Sequence, residues 1–165
     1  MVLFHGLEGS SGSHYARALA SRLAREGWRL AVPHFRGCSG EPNRLARAYH
    51  SGDSDEIAWV LERFSAEAQG GALVAVGISL GGNALLKYLG ESGEKARSVL
   101  RCAVSVSAPL DIMVAGDELA RGFNRFYTRM SGGTPERLFW SLWGGHKIAV
   151  VLVALVCWQM ASPAA

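Results

Sequence analysis

Cysteine is scarce in this sequence of 165 residues: Cys38, Cys102 and Cys157 are the only three, with no Cys-x-x-Cys pair among them. An odd, scattered set argues against a disulfide framework and against a zinc site, and points to a reducing compartment. Charge is also sparse, at 19% of residues, and 17 basic against 14 acidic side chains leave a net +3. The basic residues form no stripe, so no nucleic-acid partner is expected. The start of the chain lacks the basic and then apolar succession of a secretory signal, which makes a cytoplasmic location the expectation. One long apolar run is present, residues 148–158, but it falls short of the roughly 18 to 20 residues that span a bilayer. Membrane contact through it is the less favoured reading. Neither nucleotide fingerprint occurs: there is no Gly-x-Gly-x-x-Gly and no Gly-Lys-Ser/Thr, so no cofactor is expected.

What the chain does have is apolar material, 49% of its residues, enough for the core of one globular domain. Residues 2–4 form an apolar run that breaks into Gly6, Gly9, Ser10, Ser11 and Gly12, the pattern of a buried strand leading into a glycine-rich loop. Tyr15, Leu19 and Leu23 at four-residue spacing predict a helix over 13–26, closed by Gly27, and residues 30–32 read as a second strand. A long loop, 33–52, follows. Asp53 and Glu56 are placed to form a capping box for a helix whose Ile57, Val60, Leu61 and Phe64 share one face. Residues 72–76 read as a third strand, Leu80 to Leu89 as a helix stripe, and 102–106 as a fourth strand stopped by Pro109. Alternating strands and helices predict an α/β fold, a parallel sheet of about four strands with helices on both faces.

The strongest local signal is Gly77-x-Ser79-x-Gly81 between a predicted strand and a predicted helix, the context of a nucleophile elbow. Such a turn strains the backbone at the serine, and flanking glycines remove Cβ atoms that would otherwise clash. The N–H of Leu80 and that of Leu7, in the loop after the first strand, are the expected pair of oxyanion donors.

Longer stretches carry a resemblance. His5-Gly6-Leu7-Glu8-Gly9-Ser10, Phe35-Arg36-Gly37-Cys38-Ser39-Gly40-Glu41 with Asn43-Arg44, Tyr49-His50-Ser51-Gly52, residues 77–83 followed by Lys87-Tyr88-Leu89-Gly90-Glu91, and Ser107-Ala108-Pro109-Leu110-Asp111 resemble the YheT-like branch of the α/β-hydrolases over residues 1–130. The resemblance implies an α/β-hydrolase fold, a carboxylic ester hydrolase with a Ser, Asp, His triad, a small acyl ester as substrate, and no cofactor or metal. It makes Ser79 the nucleophile and assigns Leu7 and Leu80 to the oxyanion hole. Family members carry further strands before the His-Gly loop and continue well beyond the elbow, so a chain shortened at both ends is expected. His146 is the one histidine after Ser79 and the candidate base, in a Gly144-Gly145-His146 that resembles the family's. Asp111 is the candidate orienting acid, and Asp117 has no independent support. His5 is expected to shape the first loop, Cys38 to pack as a small residue, and His50, His14 and His34 have no derived chemistry.

The expected organisation is an incomplete α/β-hydrolase core over 1–130 and a divergent hydrophobic tail over 131–165. Three readings of the tail stand: a replacement end from a frameshift or divergent splice, which is preferred; a strand filling the sheet; or a membrane anchor with Trp140, Trp143 and Trp158 at the interface. A sheet ending at its fourth strand exposes an edge, and self-association follows unless the tail or a partner covers it. The functional alternative to an esterase is a non-catalytic fragment or binding module that lacks a complete triad.

Overall fold

The computed structural model describes residues 1–111 and the backbone of the strand Val153–Cys157. Met1–Ala108 together with Leu152–Ala165 make one compact unit; of the second, Pro109–Val151, residues 109–111 are described. The expected boundary near residue 131 and the candidates Asp117 and His146 lie outside the described residues.

The elements follow in the order β1 (Val2–Phe4), α1 (His14–Arg25), α2 (Ser54–Glu67), β2 (Val74–Ile78), α3 (Leu80–Ser92), α4 (Glu94–Val99), β3 (Cys102–Val106) and β4 (Val153–Cys157). They build one sheet in the order β1-β2-β3-β4. The first three strands are parallel, with Phe4 opposite Gly77 and Ile78 opposite Val106. Because the registers coincide, the three chains leave the sheet at one edge, their C-terminal ends. Val2, Leu3 and Phe4 are all buried, as expected of a strand covered on both faces.

Two strand expectations need correction. Residues 30–32 form only a bridge, Ala31 beside Val2, with Leu3 N–H to Ala31 O and Ala31 N–H to Met1 O, each at 2.9 Å. The next residue but one, Pro33, has no N–H to extend the ladder. The fourth strand of the sheet is instead β4 from the tail, and it is antiparallel to β3, with Cys102 opposite Cys157 and Val106 opposite Val153. The sheet is therefore three parallel strands and one antiparallel, and the β3 edge is occupied by the tail. Among the described residues no helix is long and apolar enough to cross a membrane.

The helices form where the apolar spacing puts them. Ile57, Val60 and Leu61 of α2 and Leu80, Ala84, Leu85 and Tyr88 of α3 are buried. α3 packs on β1, β2 and β3, and α2 and α4 pack on α3. The helix α4 was not expected from the sequence. In α1 only Ala16 is buried, while Tyr15, Leu19 and Leu23 are half-exposed. The capping box does not form. Asp53 stands at the N-cap without a side-chain bond to the helix, because Arg47 takes its Oδ1 at 2.5 Å and Arg36 takes Glu56 at 2.9 Å.

Candidate active site

Between β2 and α3 the chain reverses within a single residue, Ser79, at φ +50° and ψ −116°. For an L-residue that is a strained conformation worth of order 1–3 kcal/mol, tolerated only where the surroundings fix it. They fix it here through the backbone: Ser79 N–H donates to Val106 O at 2.9 Å, and Ser79 O accepts from Asn83 N–H at 2.9 Å. The flanking glycines allow the turn to seat. A Cβ on Gly77 would lie 2.6 Å from Gly81 O and from Gly82 Cα, and one on Gly81 would lie 2.5 Å from Phe4 O and 2.6 Å from His5 O. The N-terminus of α3 thus rides against the backbone at the end of β1, in van der Waals contact that no side chain could share.

The loop after β1 faces this turn. A Cβ on Gly6 would sit 3.4 Å from Ser79 Cβ and 4.0 Å from its Oγ, so Gly6 borders the serine hydroxyl directly. Four amides in succession have distinct fates. Gly6 N–H donates to Tyr15 Oη at 3.1 Å, Glu8 N–H to Tyr49 Oη at 3.2 Å, and Gly9 N–H to Gly6 O at 3.0 Å. Leu7 N–H, between them, has no hydrogen-bond partner among the described residues, and neither has Leu80 N–H at the first position of α3. Each chain segment therefore carries one unengaged donor, Leu80 next to Ser79 in sequence and Leu7 next to Gly6, which borders the serine.

His5 is fully buried at the root of the loop. Its Nδ1 lies 2.8 Å from Gly6 O and its Nε2 accepts from Phe35 N–H at 3.1 Å. Burial holds its pKa below the usual imidazole value, the nearby His34 adds to this, and the Gly6 carbonyl and Glu8 oppose it. The ring is a structural acceptor between two backbone segments. His34 Nε2 bonds Ser11 through both N–H and hydroxyl at 2.9 Å, His50 Nδ1 is 2.7 Å from Ser51 O, and the ring of His14 meets Tyr15 edge-on at 5.4 Å. His5, His34 and His50 are thus engaged by loop residues, and His14 stands at the start of α1. Burial pushes the Cys38 thiol pKa up, the direction opposite to that of an activated thiolate. Asp111 lies beyond the end of β3 and is exposed.

Strain gathers at this edge. Of the four non-glycine residues with positive φ among the described residues, Glu8, Ser79 and Ser107 each follow the end of one of the three parallel strands; the fourth, Gln69, lies elsewhere. Such clustering is typical of functional sites. Tyr15 and Tyr49 were not singled out from the sequence for the positions they hold. Tyr15 carried only its place in a helical stripe, and the Tyr49-His50-Ser51-Gly52 motif was the one available signal for the second. Among the described residues no cluster of three or more His, Cys, Asp or Glu is arranged to hold a metal ion.

Comparison with known proteins agrees with this architecture. A family model for the alpha/beta hydrolase fold matches residues 1–138. YheT of Escherichia coli (strain K12) is 43% identical over 129 residues, which are 78% of this chain and 37% of that protein. The embryogenesis-associated protein EMB8 of Picea glauca is 28% identical over 163 residues, 93% of this chain and 35% of that protein. The medium-chain fatty acid ethyl ester synthase/esterase 2 of Saccharomyces cerevisiae is 34% identical over 125 residues, 73% of this chain and 27% of the relative. The chain spans between about a quarter and little more than a third of the length of the curated relatives that it matches. With a parallel sheet, a strained serine between strand and helix, and a glycine loop set against it, the chain belongs to the alpha/beta hydrolase fold family, among its YheT-like members.

Proposed function

We propose that the chain hydrolyses carboxylic esters through Ser79 as nucleophile. The observation that carries this is the placement of Ser79 at φ +50° at the head of α3, bordered by Gly6; the unengaged amides of Leu80, next in sequence, and of Leu7, next to Gly6, support it. In this reading Ser79 Oγ attacks the acyl carbon and passes its proton to an imidazole. The carbonyl oxygen becomes an oxyanion held by the Leu7 and Leu80 N–H groups. Collapse expels the alcohol, which takes the proton back, and leaves an acyl ester on Ser79. Water, deprotonated by the same imidazole, then releases the acid and restores the serine. Since His5, His34, His50 and His14 are placed as described, His146 is the histidine assigned as base, with Asp111 as the acid that orients it. The chain order Ser79, Asp111, His146 is the order usual on this fold. Names of relatives support ester substrates: one is a medium-chain fatty acid ethyl ester synthase/esterase and another a monoacylglycerol lipase.

The engagement of His5, His34 and His50 in loop contacts favours one rival, a binding module that retains the turn and the amide pair but has no base. Hydrolysis of p-nitrophenyl butyrate and octanoate by wild type, Ser79→Ala and His146→Ala separates the two. Turnover by wild type that falls roughly 10⁴- to 10⁶-fold in both variants is the expected result. Wild-type turnover no faster than that of Ser79→Ala would leave the binding module as the reading.

A further inference from the structure

We propose that Tyr49 is a positioning residue for the amide donors beside Ser79: its hydroxyl latches Glu8 and thereby fixes the direction of the Leu7 N–H. The proposal rests on the hydrolase reading and goes beyond it, to a residue that lies in the long 33–52 loop and touches neither Ser79 nor an acyl group.

Glu8 sits at φ +53° immediately after Leu7. A left-handed conformation at a glutamate is held only if something beyond its own backbone preference maintains it. Tyr49 does so with one atom. Its hydroxyl donates to Glu8 Oε1 at 2.6 Å and accepts from Glu8 N–H at 3.2 Å, so side chain and main chain of the same residue are gripped together. The 2.6 Å separation is that of a strong hydrogen bond to a carboxylate. Burial, together with the Glu8 carboxylate, raises the phenol pKa far above its ordinary value, and the hydroxyl stays a donor throughout the pH range in which esterases are assayed.

The latch is itself anchored. The Tyr49 ring stacks on Phe35 with centroids 5.4 Å apart and planes at 9°. Phe35 is buried and meets the His5 ring edge-on at 4.9 Å, while its N–H is bonded to His5 Nε2. A continuous run of rings thus joins the middle of one loop to the root of the other. On the opposite side, Tyr15 Oη receives the Gly6 N–H. Leu7 is bracketed: the amide before it is tied to one tyrosine and the amide after it to another. Its own N–H is the one left over in the series, and it shares a peptide plane with Gly6 O, which Gly9 N–H and His5 Nδ1 hold; that turn from Gly6 to Gly9 closes only while Glu8, the residue Tyr49 grips, keeps its left-handed conformation.

The test compares Tyr49→Phe, Glu8→Ala and Glu8→Gln with wild type. It uses kcat and KM for p-nitrophenyl butyrate, thermal midpoints, and the rate at which an alkyl fluorophosphonate labels Ser79. The phosphonyl oxygen of that adduct occupies the position of the oxyanion. Tyr49→Phe keeps the ring stack and deletes only the hydroxyl, so kcat and labelling rate should fall about 10- to 100-fold, with KM within about twofold. Glu8→Ala should behave alike, and Glu8→Gln, whose amide oxygen still accepts from Tyr49, should recover much of the loss. Wild-type labelling with an unchanged rate in Tyr49→Phe and Glu8→Ala overturns the latch and leaves the hydrolase reading intact. A loss that appears equally in Glu8→Gln, or that tracks a fall in thermal midpoint, overturns it as well. Failure of wild type to be labelled at Ser79 overturns the hydrolase reading itself.

Discussion

The two chain segments that meet at Ser79 are held by opposite means. The turn from β2 to α3 is fixed by the closeness of backbone to backbone: Gly77 against Gly81 and Gly82, Gly81 against Phe4 and His5, and Ser79 N–H on Val106 O. No side chain takes part in these contacts, which succeed because three glycines have none. The loop from β1 to α1 is tied to the rest of the molecule through side chains: Tyr15 of α1 and His34 and Tyr49 of the 33–52 loop bond its amides, and its own His5 ring accepts from Phe35 N–H. One segment is rigid by exclusion and the other by attachment. A site assembled from both has a serine position that tolerates no added atom, and an amide position that can be adjusted through distant residues.

The largest effect should come from adding an atom to the first segment. In Gly81→Ala the new Cβ would stand 2.5 Å from Phe4 O and 2.6 Å from His5 O, both backbone atoms that cannot swing aside. Either α3 moves off β1 or the end of β1 deforms, at a cost of about 3 kcal/mol or more. Urea unfolding followed by circular dichroism measures it. Gly90, also in α3, is the control: a Cβ there meets nothing within 4 Å, and Gly90→Ala should stabilise by about 0.5–1 kcal/mol through helix propensity alone. Equal outcomes at the two positions would break the distinction between exclusion and ordinary helix packing.

This difference also explains what could be read from the chain. The turn is a local object, so Gly77-x-Ser79-x-Gly81 between an apolar run and an apolar stripe specified it, and the i, i+3, i+4, i+7 spacing specified α2 in the same way. The attached loop depends on partners as distant in sequence as Glu8 and Tyr49, and no local pattern marks a tyrosine as a latch. Competition defeated the capping box as well. Asp53 and Glu56 have the right spacing, but Arg47 and Arg36 offer each a charged partner, which a backbone N–H at the helix start does not match. Residues 30–32 have the composition of a strand and form a bridge because strand length is decided by neighbours and by Pro33. The tail strand is likewise defined by the β3 edge that it occupies.

An intermediate effect is expected where the 33–52 loop is pinned at its far end. The Asp53 side chain is 1% exposed, and its Oδ1 is held by Arg47, while Oδ2 has no hydrogen-bond partner and lies 3.9 Å from His50 Nε2. Arg47→Ala leaves a buried carboxylate without its principal partner. Loss of a fully buried partner costs about 3–5 kcal/mol, and the half-exposed position of Arg47 reduces this to about 1–3 kcal/mol. Asp53→Asn in the Arg47→Ala background should recover part of that loss, since the uncompensated charge is gone. If the attached segment depends on this pin, hydrogen exchange of the Glu8 amide should quicken in Arg47→Ala, while amides of α3 change little. Uniform quickening across both segments would mean that they open as one unit.

The smallest effect is absent at neutral pH and appears on acidification, in the attached loop alone. With Nδ1 at Gly6 O and Nε2 accepting from Phe35 N–H, the single proton of the neutral His5 ring belongs on Nδ1. Protonating Nε2 would set one N–H against another and would charge a buried ring. Both consequences agree with a pKa held below the ordinary value near 6.5. The sign follows from proton binding. Below that ordinary value the unfolded chain takes up a proton at His5 that the folded chain still refuses, so the contribution is complete at higher pH and is lost as pH falls through about 6.5 toward the folded value. Unfolding midpoints in urea at pH 7.5, 6.5 and 5.5 should therefore decline for wild type. His5→Gln, which has an amide in place of the ring and cannot titrate, should be less stable at pH 7.5 yet show a shallower decline. An undiminished slope in His5→Gln would place the acid sensitivity outside this loop. A diminished one would give the attached segment a chemical dependence that the glycine turn beside it, with no titratable group in its contacts, cannot share.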